Sequence, residues 1–357
     1  MKVLFDHQLF SYQRFGGASK YFAMLLNSLP RNVWETTTLF SNNEYVRHLN
    51  LFSPISFFKS YFFKGQGRIM NELNKPYSIY RLKKNHYDVF HQTHFETYCL
   101  KSIGNKPMVT TFHDINFSTL NSSPKIVRLQ KKSLERADKI IVISKNTKQD
   151  LIRLFDIKED KIVVIYHGIK SPKKQLHTKR LINDTYILYV GSRVANKNFL
   201  RLLEAFALLA KNHLEIKLVC TQKGFSKKEY DLFKKLGIET RIIHIFATEN
   251  MMDRLYREAL FFVFPSLYEG FGMPILEAWI NNCPIALSNT SCFPEIAKNA
   301  GKYFDPEDIY SIKNAMDELI NDEKLRNNLR QLGTGRVKEF SWEKCAQQHM
   351  EVYQSLL

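Results

Sequence analysis

At 357 residues the chain is too long for one ordinary domain and sufficient for two, each able to bury its own core. Its balance of 44% hydrophobic and 24% charged residues is that of a globular protein, and no run of about 18 uncharged apolar residues occurs that would form a membrane span. The net charge of +17 lies wholly in the first half: residues 1–180 hold 30 Lys and Arg against 13 Asp and Glu, whereas residues 181–357 hold 22 of each. Such a surplus fits an anionic partner (a phospholipid surface, a polyprenyl-diphosphate substrate or a nucleic acid), or serves solubility alone.

The N-terminus, MKVLFDHQLF, reads as a strand over Lys2–Phe5 followed by Asp6 and His7. Two polar groups there interrupt what would be the apolar core of a signal peptide, so secretion is not expected. Apolar, β-branched runs then alternate with amphipathic ones. Strands are expected at Thr37–Phe40, Asp88–His91, Met108–Phe112, Lys139–Ile143 and Ile162–Tyr166, and helices at Ala18–Ser28, Pro124–Arg136 and Lys145–Phe155, the last capped by Ser144. Between Leu51 and Lys84 phenylalanine and tyrosine mix with lysine and arginine; such a stretch suits a lipid headgroup region or a protein core equally well. From Tyr166 to Asp184 the sequence turns polar and basic around Gly168 and Pro172, which marks the linker.

A second series follows. Strands are expected at Tyr186–Val190, Ile216–Cys220, Arg241–Ile245, Leu260–Phe264, Pro284–Leu287 and Lys302–Phe304, with helices at Phe199–Lys211, Lys227–Leu236, Asn250–Ala259, Met273–Ile280 and Pro294–Lys298. The tail from Ile309 reads as helical, broken near Gly333 and Gly335 and resuming at Trp342. Two doubly wound α/β domains in tandem are the architecture this predicts, with ligands beyond the C-terminal ends of the strands. Cys99, Cys220, Cys283, Cys292 and Cys345 show neither disulfide-framework nor zinc spacing, which fits a reducing cytoplasm.

The segment YEGFGMPILEA, residues 268–278, carries two carboxylates around a turn and a helix start. Gly270 and Gly272 suit a tight turn and Pro274 the first helical turn, so Glu269 precedes the helix and Glu277 lies on it. A helix start favours a phosphate, and carboxylates accept hydrogen bonds from hydroxyls, so a ligand with hydroxyls on both sides of a phosphate matches; a nucleotide-sugar is one. GSRVANKN, residues 191–198, offers Arg193 and Lys197 as an anion clamp, although alone it reads as a solvated basic turn. Gly16 and Gly17 open a helix where backbone could approach phosphate, or form an ordinary turn. His113 in TFHD could bond a sugar hydroxyl, or be a structural partner at a strand end.

Together these segments resemble the retaining family-four glycosyltransferases of the GT-B fold. FDHQLFSYQRFGGASKYF is similar to the family's glycine loop, FPSLYEGFGMPILEAWINNCPIALSNTSCFPEI to its most recognisable segment, GSRVANKN to its Arg…Lys pair and FSWEKCAQQ to its closing helix. The resemblance implies two Rossmann-like domains facing across a cleft, residues 1–170 for the acceptor and 184–340 for the nucleotide-sugar, with residues 341–357 as a helix crossing back to the first. It implies that Glu269 binds hydroxyls of the transferred sugar beside the Gly270, Phe271 and Gly272 backbone and Ile275, that Glu277 binds the ribose, and that Arg193 and Lys197 neutralise the leaving diphosphate. His113 would lie against the donor sugar, and Gly16 and Gly17 against phosphate or acceptor. The chain departs from the family at HIFATEN, residues 244–250, where a glycine is frequent, which leaves the base contact open. Asn116 replaces a more frequent apolar residue.

The expected activity is thus a retaining, metal-independent hexosyl transfer from GDP-mannose or a UDP-sugar to a saccharide or polyprenyl-diphosphate-linked saccharide, in O-antigen, capsule or exopolysaccharide synthesis. No Asp-x-Asp pair suited to a nucleotide-bound metal occurs, so no cofactor is expected. A cytoplasmic enzyme peripheral to the inner face of the plasma membrane, with an anionic membrane surface as partner, follows from the charge. The alternatives are a GT-B enzyme with a soluble acceptor, an epimerase, or a basic nucleic-acid-binding protein; against the last stands the lack of a recognition helix, zinc spacing or aromatic RNA-binding motif, so no nucleic-acid partner is expected.

Overall fold

A computed structural model describes residues 1–57, 63–114, 123–170 and 179–357. The chain divides into two compact units, the first formed by Met1–Gly168 with Ser341–Leu357 and the second by Ile169–Phe340.

Unit 1 is built on six parallel strands: β1 (Val3–Phe5), β2 (Trp34–Thr36), β3 (Val89–Gln92), β4 (Met108–Phe112), β5 (Lys139–Val142) and β6 (Ile162–Val164). Their order is β2-β1-β3-β4-β5-β6. Each of β1, β3 and β4 is buried along its whole length, as expected of a parallel sheet covered on both faces. The connecting helices are α1 (Gln8–Tyr12), α2 (Gly17–Ser28), α3 (Glu44–His48), α4 (Gln66–Lys84), α5 (Pro124–Arg136) and α6 (Lys145–Phe155). Ser144 does cap α6, its hydroxyl accepting the Thr147 N–H at 3.1 Å. The C-terminal helix, Trp342–Gln354, packs on α2 in the same unit. A Cβ on Gly168 would stand 2.2 Å from the Trp342 nitrogen, so only glycine admits the start of that helix here. Between helix and sheet lie buried histidines: the His91 ring nitrogens sit 2.6 and 2.9 Å from the Tyr353 and Thr111 hydroxyls, and His349 Nε2 sits 2.9 Å from the Tyr21 hydroxyl.

Unit 2 repeats the plan with β7 (Tyr186–Tyr189), β8 (Lys217–Cys220), β9 (Ile242–His244), β10 (Phe261–Phe264), β11 (Ile285–Ser288) and β12 (Lys302–Phe304), in the order β12-β11-β10-β7-β8-β9 and all parallel. Its helices are α7 (Phe199–Ala210), α8 (Lys227–Leu236), α9 (Glu249–Glu258), α10 (Met273–Ile280), α11 (Phe293–Ala297), α12 (Ile309–Asn321) and α13 (Glu323–Arg336). Phe206, Leu218, Phe261 and Met316, all fully buried, are members of its core. The chain reverses direction across the sheet between β1 and β3 in unit 1 and between β7 and β10 in unit 2, and such switch points are where open α/β sheets bind ligands. Two parallel six-stranded sheets are the doubly wound pair the sequence predicts.

Two local expectations need correction, and one helix was not foreseen. The second strand is Trp34–Thr36, not Thr37–Phe40, because the Leu39 and Phe40 N–H groups both donate to the Asn74 side chain, at 2.9 Å each, and leave the ladder. Helix α4 supplies that asparagine and had no sequence signal. Finally, α13 runs through Gly333 and Gly335 instead of breaking there; a Cβ on Gly333 would meet the buried Trp279 ring at 2.3 Å, so this glycine serves the packing of α13 on α10. Asn116 and part of the 51–84 stretch, residues 58–62, lie outside the described residues.

Candidate active site

In unit 2, the loop leaving β7 passes through Gly191 at φ 140, makes a 3₁₀ turn over Ala195–Lys197, and enters α7 at Asn198 in the left-handed region. The Leu267 N–H, in the loop leaving β10, donates to the Asn196 carbonyl at 2.8 Å. This bond ties together the two loops that flank the switch point and brings the Lys197 ammonium to 2.6 Å from a Glu269 carboxylate oxygen. Both side chains are partly buried, so their charge-assisted bond is screened less than a surface pair. Ser291, at φ 58, holds the other side of Glu269: its hydroxyl accepts the Glu269 N–H at 3.2 Å and donates to the Glu269 carbonyl at 2.7 Å.

Arg193 takes a different partner. Its Nε donates to the carboxylate of Glu229, and its Nη2 to the Lys223 and Gly224 carbonyls at 2.6 and 2.7 Å, while the guanidinium lies 4.8 Å from the Phe225 ring centroid. Only Nη1 remains lightly used, with a long 3.5 Å contact to the Thr221 carbonyl. Glu229 also closes the capping box of α8 with Ser226. Burial opposes ionisation of Glu229, but the Ser226 N–H and hydroxyl and the Arg193 cation hold its carboxyl below the usual glutamate range.

The turn before α10 forms as the glycines and proline require. Gly272 sits at φ 89, a conformation unfavourable for any side chain, and Pro274 occupies the first turn. Glu269 precedes α10 and Glu277 lies on it, accepting a hydrogen bond from the buried Tyr256 hydroxyl at 3.2 Å. Burial, and then the Glu277 charge, raise the Tyr256 phenol far above its ordinary value, so it remains a donor. Phe271 and Ile275 are buried by their side chains, Phe271 against Phe340, so these two and the buried Gly270 would face a ligand with backbone alone.

In unit 1, His113 follows β4 with its ring edge-on to Tyr21 at 4.9 Å between centroids. Burial, with the nearby His94, lowers its pKa to about 3, so the imidazole is neutral. Its Nε2 is buried and has no hydrogen-bond partner among the described residues. Gly17 begins α2 with open space beside it, whereas a Cβ on Gly16 would strike the Gln13 side chain, whose oxygen accepts the Ser19 N–H at 3.0 Å. One N–H at that helix start is thereby already taken.

Sequence reasoning missed Glu229, Ser291, Tyr256 and Gln13. Only Glu229 carried a local signal, the Ser-x-x-Glu spacing of a capping box at residues 226–229. Among the described residues no three His, Cys, Asp or Glu side chains converge as a metal set, and no helix is long and apolar enough to cross a membrane.

Comparison with known proteins gives this geometry a family. The model described as Glycosyltransferase Family 4 matches residues 15–171, and that described as Glycosyl transferases group 1 matches residues 170–336. The chain is 32% identical over 269 residues to O-antigen chain mannosyltransferase B of Escherichia coli, covering 70% of each protein. Among solved structures it is similar to Anabaena HepE in complex with UDP, with a TM-score of 0.80 at 17% identity over 99% of this chain and 100% of that one. It is likewise similar to sucrose-phosphate synthase from Thermosynechococcus elongatus, with a TM-score of 0.75 at 18% identity over 100% and 99% of the two chains. Two parallel α/β units, glycine turns before α2 and α10 and an acidic pair around α10 are thus carried by a chain that belongs to the family 4 glycosyltransferases and has their GT-B fold.

Proposed function

We propose that the chain is a retaining hexosyltransferase that uses a nucleotide-diphosphate sugar, GDP-mannose or a UDP-sugar, to extend a lipid-linked saccharide in surface-polysaccharide synthesis. The observation that carries the reading is the Lys197–Glu269 pair at the switch point of unit 2. Glu269 leaves carboxylate lone pairs for sugar hydroxyls, and Lys197 keeps two further N–H donors for a diphosphate. Support for mannose comes from the name of the E. coli relative, and support for a uridine nucleotide from the UDP in HepE.

In the transfer, the bond from the anomeric carbon to the diphosphate oxygen breaks, the bond to the acceptor oxygen forms, and the acceptor's proton passes to the leaving phosphate. Negative charge grows on the diphosphate as the sugar becomes oxocarbenium-like. Lys197 and Arg193, through its lightly used Nη1, stabilise that growing charge, and fixed cations placed there lower the barrier more than they tighten ground-state binding. Glu277 receives the ribose hydroxyls, with Tyr256 fixing its carboxylate. His113 offers a neutral imidazole edge to a saccharide hydroxyl, and Gly17 an open backbone to phosphate or acceptor. Positive side chains take the place of a metal.

Incubation with a panel of UDP-, GDP- and dTDP-sugars, read as hydrolysis or thermal shift, tests the donor; no response to any member would overturn the reading. The product linkage by NMR should keep the donor's anomeric configuration, and EDTA should leave the rate unchanged. Lys197→Ala should lower turnover about a hundredfold, the effect of removing one charge-stabilising donor elsewhere.

A further inference from the structure

Arg193 stands on an exposed loop yet hides its own side chain. Its neighbours Ser192, Val194, Ala195 and Asn196 are exposed, whereas the Arg193 side chain is 8% exposed and turns into the loop that joins β8 to α8. That loop and the start of α8 close on the guanidinium. Nη2 donates to the Lys223 and Gly224 carbonyls, Nε donates to the Glu229 carboxylate, and the Phe225 ring centroid lies 4.8 Å away. Phe225 is itself pinned, edge-on to the core residue Phe233 at 4.9 Å. Of the five N–H groups of an arginine, one on Nη1 has no partner among the described residues, and the other makes only the long contact to the Thr221 carbonyl. Thr221 directly follows β8, and its N–H donates to the Tyr189 carbonyl at the end of β7 at 3.2 Å. Nη1 thus lies at the C-terminal edge of the sheet, beside a strand that forms the switch point.

Glu229 divides its two oxygens. One takes the Arg193 Nε–H, and the other accepts the Ser226 N–H and hydroxyl at 2.6 and 2.7 Å. The second set of bonds belongs to the helix, where it closes the capping box that fixes the first turn of α8. A cap of that kind needs no arginine. Holding a side chain as long as arginine in one rotamer costs conformational entropy, which the start of α8 has no use for. What the shared carboxylate achieves is to pass the rigidity of α8 to the guanidinium and to leave Nη1 for a ligand.

We infer that Glu229 is the positioning residue of Arg193: one carboxylate, anchored on the first turn of α8, fixes the guanidinium so that Nη1 meets the leaving diphosphate. The inference rests on the transfer proposed above, in which Arg193 stabilises the charge growing on that group. A cation fixed beforehand needs no reorganisation as the charge develops, and a displacement of about 1 Å can cost up to about a hundredfold in rate. Glu229 acts only through Arg193.

Release of UDP or GDP from UDP-glucose or GDP-mannose by the full chain reads the effect, with kcat and donor KM measured for each variant beside its melting temperature. Glu229→Ala should lower kcat about tenfold and move the donor KM by less than about threefold, because the lost interaction belongs to the transition state. Glu229→Gln keeps an oxygen for the Nε–H and can still close a capping box, so it should recover to within about threefold of the parent. Glu229→Asp keeps the charge on a shorter arm and should resemble Glu229→Ala, which separates position from charge. In the Arg193→Ala background, Glu229→Ala should cost less than about twofold, since no guanidinium remains to be held. An equal loss with and without Arg193 would mean that Glu229 serves only the fold of α8. A kcat like the parent's in Glu229→Ala or Glu229→Asp would likewise sink the positioning role while leaving the clamp in place. If Arg193→Ala alone turns over as the parent does, the clamp and its positioning residue fall together.

Discussion

Lys197 and Ser291 show how one carboxylate is placed by two quite different contacts. Lys197 meets the Glu269 side chain, and its loss removes charge from the site. Ser291 touches only the Glu269 backbone, through both its N–H and its carbonyl. Because Ser291 stands at φ 58, Ser291→Gly relieves a strained backbone while deleting the hydroxyl. Stability should therefore hold or rise, whereas kcat/KM should fall about fivefold, the value of roughly 1 kcal/mol for a hydrogen bond. An unchanged kcat/KM would show that Glu269 needs no such support. Arg193 is a residue whose type was legible and whose partner was not: the Arg…Lys spacing pointed to an anion clamp, yet Glu229 and two carbonyls occupy most of its donors.

Helices α13 and α4 differ from their sequence signals for opposite reasons. In α13 the glycines look like breaks, but Gly333 is where Trp279 packs and Gly335 has open space beside it. Gly333→Ala should thus destabilise by about 1–3 kcal/mol, since Trp279 is buried and cannot yield, and Gly335→Ala should be neutral or stabilising by up to about 1 kcal/mol. Equal melting shifts for the two would refute the packing account. In α4 the usual apolar-inside pattern is diluted, because Asn74 and Ser78 face inward beside Met70 and Leu82 to satisfy loop and hydroxyl groups of unit 1. A periodicity argument does not find a helix whose buried face mixes two apolar residues with four polar ones. By contrast, α5, α6, α8 and α10 carry a cap or a first-turn proline at their starts and follow the expected bounds.

At the scale of the whole molecule, acidification should act through unit 1. Burial lowers His91 and His167 well below their ordinary 6.5, His113 to about 3 and His349 to about 4. The unfolded chain takes up protons below 6.5 that the native state refuses, so the stability these four contribute is full above 6.5 and is lost as pH falls toward the native values. Each can remove up to about 1.4 kcal/mol per pH unit. Asp6 acts with the opposite sign: burial raises its carboxyl from 3.8 to about 7, and that contribution is present below 3.8 and lost as pH rises through 7. Four groups outweigh one, and the melting temperature should drop between pH 7 and 5; a flat or rising profile would contradict the buried, neutral histidines. The sequence by itself determined the family, the parallel strands and the glutamates around α10, because β-branched runs, glycines and prolines act through contacts a few residues long. Only the tertiary structure decided that Lys197 meets a carboxylate 72 positions away, that Arg193 meets one 36 positions away, and that α4 buries Asn71, Asn74 and Ser78 while leaving Ile69, Leu73 and Tyr80 exposed. Those outcomes depend on which loops the sheet order makes neighbours, and strand order is not written in any local stretch of chain.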